Sequence, residues 1–377
     1  MRVALVCDWF LPRQGGIELH LRDLALALRR YGVDARVVTT TRGPDEVDGV
    51  PVHRVRAALA AGAGFAFTPG GIARLRDVLR AERFDVVHAH ASVISPVAYA
   101  GALAGAREGA ASLVTFHSML HRSAFLLGAS EALFGWSRER ILLSAVSSVV
   151  AAQAAQWMPG AAICVLPNGI DVPYWRMAGK AETNADEIVF ASAMRLSRKK
   201  RPERLVRAFA SAVRFNAGTP AMRLIVAGDG PERRAMRRLA SSLDVGDLVE
   251  LPGQLGREEL RELYGRSHAF VLPSERESFG IAALEARAAG LPVIAMLAGG
   301  ARDFIARGVD GLLVRDEPEL ARAISRLAIE TPFRAYVTAH NRSVPPAYDW
   351  TDVAALHLKY YGEAAALRDR TPRANQP

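Results

Sequence analysis

The sequence contains few cysteines and no long hydrophobic run. Two cysteines, Cys7 and Cys164, occur among 377 residues, and both lie in strand-like segments. A disulfide framework is therefore not expected, and a reducing compartment such as the cytoplasm is indicated. No apolar stretch reaches the ~18 residues that a membrane-spanning helix needs, and a strand-like run follows Arg2 directly where a signal peptide would begin.

Familiar nucleotide and nucleic-acid motifs are absent as well. The chain has neither a G-x-G-x-x-G sequence nor a Walker A sequence, so the fingerprints of a dinucleotide site and of a triphosphate site are missing. It also lacks zinc-finger spacing, interleaved aromatic and basic residues and an RNA-recognition signature. These absences predict that nucleic acid is not a partner.

Positive charge is in excess. The chain has 48 lysines and arginines against 39 acidic residues, for a formal net charge of +9. Four of these cations are lysines, and such a preference for arginine is typical of the codon usage of a GC-rich genome. Part of the charge therefore carries no functional information, while the rest favours anionic partners, either nucleotide phosphates or an acidic membrane surface at the inner face of the membrane.

Strand-like runs alternate with helical patterns along the chain, which predicts an α/β fold with parallel sheets. The predicted strands lie near 3–7, 35–40, 52–56, 85–88, 112–116, 163–166, 187–192, 222–227, 247–251, 269–272, 292–296 and 311–314. The predicted helices lie near 16–31, 70–81, 95–105, 130–143, 149–157, 202–215, 231–243, 257–266, 279–289, 317–329 and 350–365. The composition of 168–186 predicts a linker between two halves, and the polar tail 371–377 is expected to be disordered.

The stretch 273–295 carries the clearest site signal. It is predicted to contain the loop, the helix and the second strand of a parallel unit, and ligands of such sheets bind where the strands end. Glu277 in the loop and Glu285 in the helix place two carboxylates near one crevice, where they would accept hydrogen bonds from the hydroxyl groups of a sugar and a ribose. The alternative is a pair of surface acids that form ion pairs with Arg276 or Arg287.

Cations and glycines follow two other predicted strands. Arg195 and Lys200 come after the strand that opens the second half, where their charges would face the same crevice as Glu277 and are suited to neutralising a diphosphate. The basic residues between and beside them are interpreted as a solvated loop. Gly228 and Gly230 follow the next strand and form a turn at a helix start, and contact with a nucleotide is the second expectation for them.

The first half contributes Gly15, Gly16 and His117. The two glycines precede the first helix, whose unpaired N–H groups suit a diphosphate, although Gly-Gly before a helix is also commonly just a turn. His117 ends a predicted strand. His88 and His90 alternate along another strand, so both would point the same way, but a metal site is not expected because no carboxylate or cysteine joins them.

Several of these motifs resemble one known family. The segment Glu277-Ser-Phe-Gly-Ile-Ala-Ala-Leu-Glu285, with the Ala-Gly-Leu-Pro-Val-Ile sequence that follows, is similar to the E-x7-E signature of family 4 retaining glycosyltransferases, the group 1 type. Five motifs occur in family order from Gly15 to about Leu313. The chain departs from the family at Ala193-Met194, where many relatives have glycine before the arginine, and at Arg201, where a glycine often follows the lysine.

The resemblance implies the GT-B fold, with two facing Rossmann-like domains and an interdomain cleft. The domains would be 1–170, completed by the helix near 350–365, and 187–345. The family transfers a hexosyl group from a UDP- or GDP-sugar with retention of configuration, without a metal or another cofactor. For this chain the acceptor stays open between a glycan, a lipid-linked molecule and a small molecule, as in glycan or glycolipid biosynthesis.

The resemblance also implies roles for individual residues. Arg195 and Lys200 would bind the diphosphate, Glu277 the donor sugar and His117 the sugar near the reacting carbon, so these four are the expected catalytic residues. The expected donor-binding residues are Gly15, Gly16, Gly228, Gly230, Ser278, Phe279, Gly280 and Glu285. The family's His-x-His motif, here at 88–90, is mostly scaffold near the acceptor side.

Other functions remain open on the sequence alone. A nucleotide-sugar epimerase of similar fold would need an acid and a base around the sugar, and a Rossmann oxidoreductase would bind a nicotinamide. A non-catalytic nucleotide-sugar or membrane-surface protein would keep the basic face. The segment 119–143 mixes apolar residues with arginines, so it would line an acceptor groove, contact an anionic bilayer or form a buried helix.

Overall fold

A computed structural model describes residues 1–13, 15–55, 69–120, 140–176, 187–217 and 220–370. The chain divides into two compact units. The first comprises Met1–Gly169 with Trp350–Pro377, and the second comprises Ile170–Asp349. Each unit is built around its own parallel sheet, with helices between successive strands.

The sheet of the first unit has the strand order β3-β4-β2-β1-β5-β6-β7-β8. Its strands are β1 Arg2–Cys7, β2 Asp34–Thr39, β3 Glu46–Val47, β4 Val50–Arg54, β5 Val86–Ala91, β6 Ala111–Phe116, β7 Leu142–Ala145 and β8 Ile163–Val165. Its first helices are α1 Gly16–Arg30, α2 Pro69–Glu82, α3 Pro96–Arg107 and α4 Ser148–Trp157. The pairs are parallel except for β3 with β4.

The sheet of the second unit has the strand order β11-β10-β9-β12-β13-β14, and its pairs are parallel. Its strands are β9 Glu187–Ala193, β10 Ala221–Ala227, β11 Val249–Gly253, β12 Ala269–Leu272, β13 Val293–Met296 and β14 Gly311–Val314. Its helices are α5 Val172–Trp175, α6 Pro202–Phe215, α7 Arg233–Ser242, α8 Arg257–Gly265, α9 Ile281–Ala288, α10 Glu317–Ile329 and α11 Thr331–Ser343.

The central strands are apolar because helices cover both faces of each sheet. Strands β12 and β13 are buried along their whole length, as is typical of parallel sheets. The strand order reverses between β1 and β5 in the first unit and between β9 and β12 in the second. Loops that leave the carboxyl ends of strands at such a reversal form the usual ligand crevice of an open α/β sheet.

The last helix, α12 Trp350–Asp369, completes the core of the first unit. Trp350 and Tyr361 are buried in the same apolar cluster as residues of β1 and β6. Gly169 lies against Trp350 so closely that a Cβ atom there would be 2.6 Å from the indole ring. The packing of Gly169 against Trp350 therefore joins the two chain segments that make up the first unit.

The structure differs from the predicted elements in several places. Helix α11 and the strands β3 and β7 were not predicted. A helix was predicted at 130–143, and residues 130–139 of it lie outside the described residues. Its end is wrong, because residues 142–143 belong to strand β7. Within the predicted linker 168–186, Val172–Trp175 form a helix, while 177–186 and the tail 371–377 lie outside the described residues. The helix predicted at 279–289 begins at Ile281. Among the described helices, none is both long and apolar enough to cross a membrane.

The first unit buries five histidines, and their burial makes its stability dependent on pH. These residues are His20, His88, His90, His117 and His357, each at most 5% exposed. Burial lowers the pKa of all five, to about 3 for His117 and about 4 for His357. Burial acts in the opposite direction on two carboxyl groups, raising the pKa of Asp8 to about 6 and that of Glu18 above its usual range.

Because an unfolded histidine takes up a proton near pH 6.5 and a buried one does not, the stability of the first unit should fall as the pH drops below that value. Asp8 and Glu18 oppose this trend but are outnumbered. We predict that His357→Gln removes one contribution, so that the loss of unfolding free energy between about pH 7 and about pH 5 becomes smaller by about 2 kcal/mol. Urea unfolding at the two pH values measures this difference, and equal losses for parent and variant would contradict it.

Candidate functional site

The loop that follows strand β9 presents a lysine in a fixed position. Residues Arg198–Lys200 form a single 3₁₀ turn in which the N–H of Lys200 donates to the carbonyl of Ser197. Arg201 then adopts a left-handed conformation, with φ of 54°, and helix α6 begins at Pro202. Proline at the first helical position has no N–H to leave unsatisfied, so the sequence ends the loop at this point.

Lys200 meets Glu277 at the strand-order reversal of the second unit. The distance from Lys200 Nζ to Glu277 Oε2 is 2.6 Å, and the side chains are 30% and 12% exposed. The structure therefore joins two of the four predicted catalytic residues in one ion pair. Arg195 is exposed at the end of β9, and no ion pair is found for it among the described residues.

Further contacts hold the Glu277 loop in place. The carbonyl of Glu277 accepts a hydrogen bond from the N–H of Gly300, at 2.8 Å. Ser274 Oγ donates to the carbonyl of Lys199, and Arg204 forms an ion pair with Glu275 at 2.8 Å. These contacts tie the loop after β12 to the loop after β9 and to the segment after β13.

Of the other residues predicted in this loop, Phe279 is fully packed. Its ring is 1% exposed and lies against Phe304 and Tyr348, with ring centroids 5.4 and 5.7 Å away. The backbone is therefore the part of Phe279 that remains able to contact a ligand. Ser278 is half-buried beside it, and Gly280, with φ of 101°, is the N-cap residue of helix α9.

Glu285 lies in the second turn of helix α9, half-buried and close enough to Tyr264 that its charge adds to the burial that raises the pKa of that phenol. Arg287 pairs with Asp310 in a buried ion pair of 2.6 Å. Asp310 also accepts the N–H of Ala306. Arg287 therefore forms an ion pair with Asp310 that anchors the helix, and not the predicted alternative pair with a carboxylate of the motif.

The glycines after strand β10 have a clear packing role. A Cβ atom on Gly228, which has φ of 131°, would lie 1.9 Å from the carbonyl oxygen of Met194. A Cβ atom on Gly230 would lie 2.4 Å from that of Leu196. The N–H of Leu196 donates to the carbonyl of Asp229 at 2.9 Å. This turn therefore packs against the backbone of Met194 and Leu196, on either side of Arg195. The sequence did not reveal this contact.

In the first unit, Glu18 lies at the amino end of helix α1. Gly15 precedes that helix as its N-cap residue, and a Cβ atom there would lie 2.3 Å from Oε2 of Glu18. The Glu18 carboxylate is thus folded back over the helix start that the sequence assigned to a diphosphate, where it accepts its own N–H and lies 3.6 Å from Arg13 Nε. Gly16 has open space around its Cα atom. A diphosphate at this position would meet a carboxylate of the chain itself.

A second acidic residue, Asp8, lies at the strand-order reversal of the first unit. It was not among the residues predicted from the sequence. It follows β1 and accepts hydrogen bonds from the N–H groups of Val97 and Ala98, at 3.0 and 3.3 Å. These groups belong to the first turn of helix α3, so the carboxylate caps that helix. The signal available in the sequence was a polar residue directly after an apolar strand.

His117 lies among other buried histidines. His90 Nδ1 is 2.9 Å from His117 Nε2, and the rings of His88 and His90 are 3.9 Å apart, so the expected shared direction of His88 and His90 is confirmed. His88 is engaged on both ring nitrogens, with Tyr361 and Thr115. The third ring near His117 belongs to His20, which sequence analysis did not single out.

Two family models match the chain, and the border between them lies close to the border between the two units. The family model Glycosyltransferase Family 4 matches residues 14–173, and Glycosyl transferases group 1 matches residues 174–343. The chain is 30% identical to D-inositol 3-phosphate glycosyltransferase of Frankia alni, over 93% of this chain and 95% of that protein. It is 25% identical to a phosphatidylinositol N-acetylglucosaminyltransferase component of Arabidopsis thaliana, over 98% of this chain and 84% of that protein.

Solved structures share the fold at lower identity. The Anabaena protein HepE, in complex with UDP and glucose, superposes with a TM-score of 0.76 at 20% identity, over 96% of this chain and 99% of that one. Sucrose-phosphate synthase of Thermosynechococcus elongatus gives 0.74 at 21% identity, over 97% and 99%. The predicted α/β fold of GT-B type is thereby confirmed.

The packing of Gly228 predicts a specific sensitivity. We expect Gly228→Ala to destabilise the second unit by about 2 kcal/mol or more, because the methyl group overlaps the Met194 carbonyl and the backbone conformation disfavours alanine. Gly362→Ala is the matched control: Gly362 is exposed in helix α12 with open space around it, so alanine should stabilise by up to about 1 kcal/mol. Chemical unfolding of both variants tests this, and similar effects would refute the packing role.

Proposed function

The chain belongs to the group 1 glycosyltransferases of family 4, and from this premise we propose that it transfers a sugar from a nucleoside diphosphate sugar with retention of configuration. The observation that carries the proposal is the contact between Lys200 and Glu277 where the strand order of the second unit reverses. A cation and a carboxylate at one crevice match the two parts of such a donor, since one part is anionic and the other is rich in hydroxyl groups.

Each residue then has a chemical role. Lys200, with Arg195, stabilises the negative charge that develops on the leaving diphosphate, and no metal is assigned to that charge. Glu277 accepts hydrogen bonds from hydroxyl groups of the sugar, and Glu285 accepts those of the ribose. Gly228 and Gly230 shape the loop that carries the cations, and Ser278 to Gly280 offer backbone contacts.

The proposed reaction exchanges one bond at the anomeric carbon. The bond from this carbon to the phosphate oxygen breaks, and the bond to the acceptor oxygen forms on the same face of the sugar. The acceptor proton passes to a phosphate oxygen, so that the products are the glycoside and the nucleoside diphosphate. His117 keeps the role that the family resemblance implies, contact with the transferred sugar near the reacting carbon. No side chain is assigned as a nucleophile.

Comparisons suggest which substrates to test first. The HepE structure holds UDP and glucose, which supports a UDP-sugar as the donor. Two relatives are named for inositol 3-phosphate and phosphatidylinositol, so inositol-containing acceptors are tested first. A GDP-sugar donor and a lipid-linked acceptor are the next alternatives.

The function is tested by incubating the protein with UDP-, GDP- and ADP-sugars and a panel of inositol-containing and lipid-linked acceptors. We expect mass spectrometry to show a glycosylated acceptor together with free nucleoside diphosphate. Proton NMR of the product should show the anomeric configuration of the donor. Conversion of the donor into an isomeric nucleotide sugar without an acceptor would replace this proposal by the epimerase alternative.

Two neighbouring lysines provide a sharp test of the cation. Lys200→Met should weaken UDP binding about 10- to 100-fold, because a charge-assisted hydrogen bond contributes about 1.5–3 kcal/mol. Lys199→Met is the matched control, since Lys199 is exposed and has the same charge one residue earlier. Isothermal titration with UDP measures both variants. Equal losses in the two variants would show that general positive charge, and not Lys200, binds the diphosphate.

A further inference from the structure

Three histidines of the first unit converge from separate elements. His20 comes from helix α1, His90 from strand β5 and His117 from the residue after strand β6. Strands β5 and β6 are parallel neighbours, and the N–H of His117 donates to the carbonyl of Ala91, so the sheet places His90 and His117 side by side. One nitrogen from each of the three rings lies within 4.8 Å of the other two.

These imidazoles are in the chemical state that binds metal ions. They are between 2% and 5% exposed, and burial lowers the pKa of each, which favours the neutral ring with one nitrogen lone pair. In the contact between His90 and His117, one of these lone pairs accepts the N–H of the other ring. Across the described part of the chain, His20 Nδ1 and His90 Nε2 are buried without a hydrogen-bond partner. Buried polar atoms normally have partners, so this cluster is only partly satisfied by the protein itself.

We propose that His20, His90 and His117 form a binding site for a divalent transition-metal ion such as Zn²⁺. Three imidazole ligands with a water molecule in the fourth position make a common tetrahedral zinc site. Zinc-to-nitrogen bonds are about 2.0–2.1 Å long, which requires nitrogens roughly 3.4 Å apart. A hydrogen bond joins His90 Nδ1 and His117 Nε2 at 2.9 Å, so metal binding breaks it: the shared proton moves to the other nitrogen of its own ring, and a small rotation of the rings brings the two nitrogens to that spacing. A set of nitrogen ligands favours Zn²⁺, Ni²⁺ or Cu²⁺ over Mg²⁺ and Ca²⁺.

The site has a consequence for transfer, which rests on the proposed function. A metal ion on His117 occupies the ring that is assigned to the transferred sugar. Zn²⁺ therefore inhibits transfer, and Mg²⁺ does not. This role differs from that of a catalytic metal, because the ion binds in the first unit and leaves the diphosphate to Lys200 and Arg195.

Metal binding is measured first without any donor, so that its result is independent of the transferase activity. Untagged full-length protein is stripped with a chelator and titrated with Zn²⁺ against a chromophoric competitor. We expect about one Zn²⁺ per chain, at least about tenfold weaker binding in His20→Ala and in His117→Gln, and no change in His357→Gln. His357 is the matched control, since it is a buried histidine of the same unit outside the triad.

Equal Zn²⁺ affinity in parent and triad variants, or no binding by the parent, would overturn the site. Circular dichroism checks that each variant is folded. If a triad variant is unfolded, the parent alone decides through Co²⁺: intense visible absorption bands indicate a tetrahedral site with nitrogen ligands, and their absence rejects it. If Zn²⁺ binds as expected but does not inhibit transfer, the metal site stands and the role of His117 in transfer fails.

Discussion

The contact between Lys200 and Glu277 is the constraint around which the second unit is arranged. The two residues are 77 positions apart, and they belong to the loops that leave β9 and β12, the strands between which the order reverses. Both side chains are partly buried, so removal of either charge would leave the other in a poorly solvated position. The ion pair therefore holds the two loops together and keeps the site close to neutral before a ligand binds.

A ligand that opens this ion pair has to replace both partners. Inorganic phosphate offers an anion to Lys200 but no sugar hydroxyl groups to Glu277, whereas a free sugar offers hydroxyl groups but no anion. A nucleoside diphosphate sugar supplies both groups in one molecule. The pair is thus an electrostatic reason for preferring the intact donor over its fragments, and it makes binding of the two parts interdependent.

The fold was largely predictable because most strands are short apolar runs separated by helices with a clear polar face. Two of the failures, strands β7 and β3, occur where that contrast is missing. Residues 141–150 are mostly apolar, with serines at 144, 147 and 148, and contain both strand β7 and the start of helix α4; periodicity alone does not separate a buried strand from a buried helix in so short a stretch. The two-residue strand β3 depends on its antiparallel partner β4 and has no local pattern of its own.

Site residues were predictable where they belong to a motif that is continuous in the sequence. Spacing identified Glu277, and the parallel-sheet pattern predicted that the cations after β9 face the same crevice. The direct ion pair of Lys200 with Glu277 follows from the strand order, which no local pattern contains. The same holds in the first unit. His20 reaches His117 across 97 positions because helix α1 packs over a sheet in which β5 and β6 are neighbours. Glu18 is on that same helix, and its carboxylate covers the helix start that the glycines marked as an anion site. Arg13 lies 3.6 Å from that carboxylate, so the acid at the helix start is partly neutralised by a cation that comes from the loop before the helix, which the glycine motif also did not indicate.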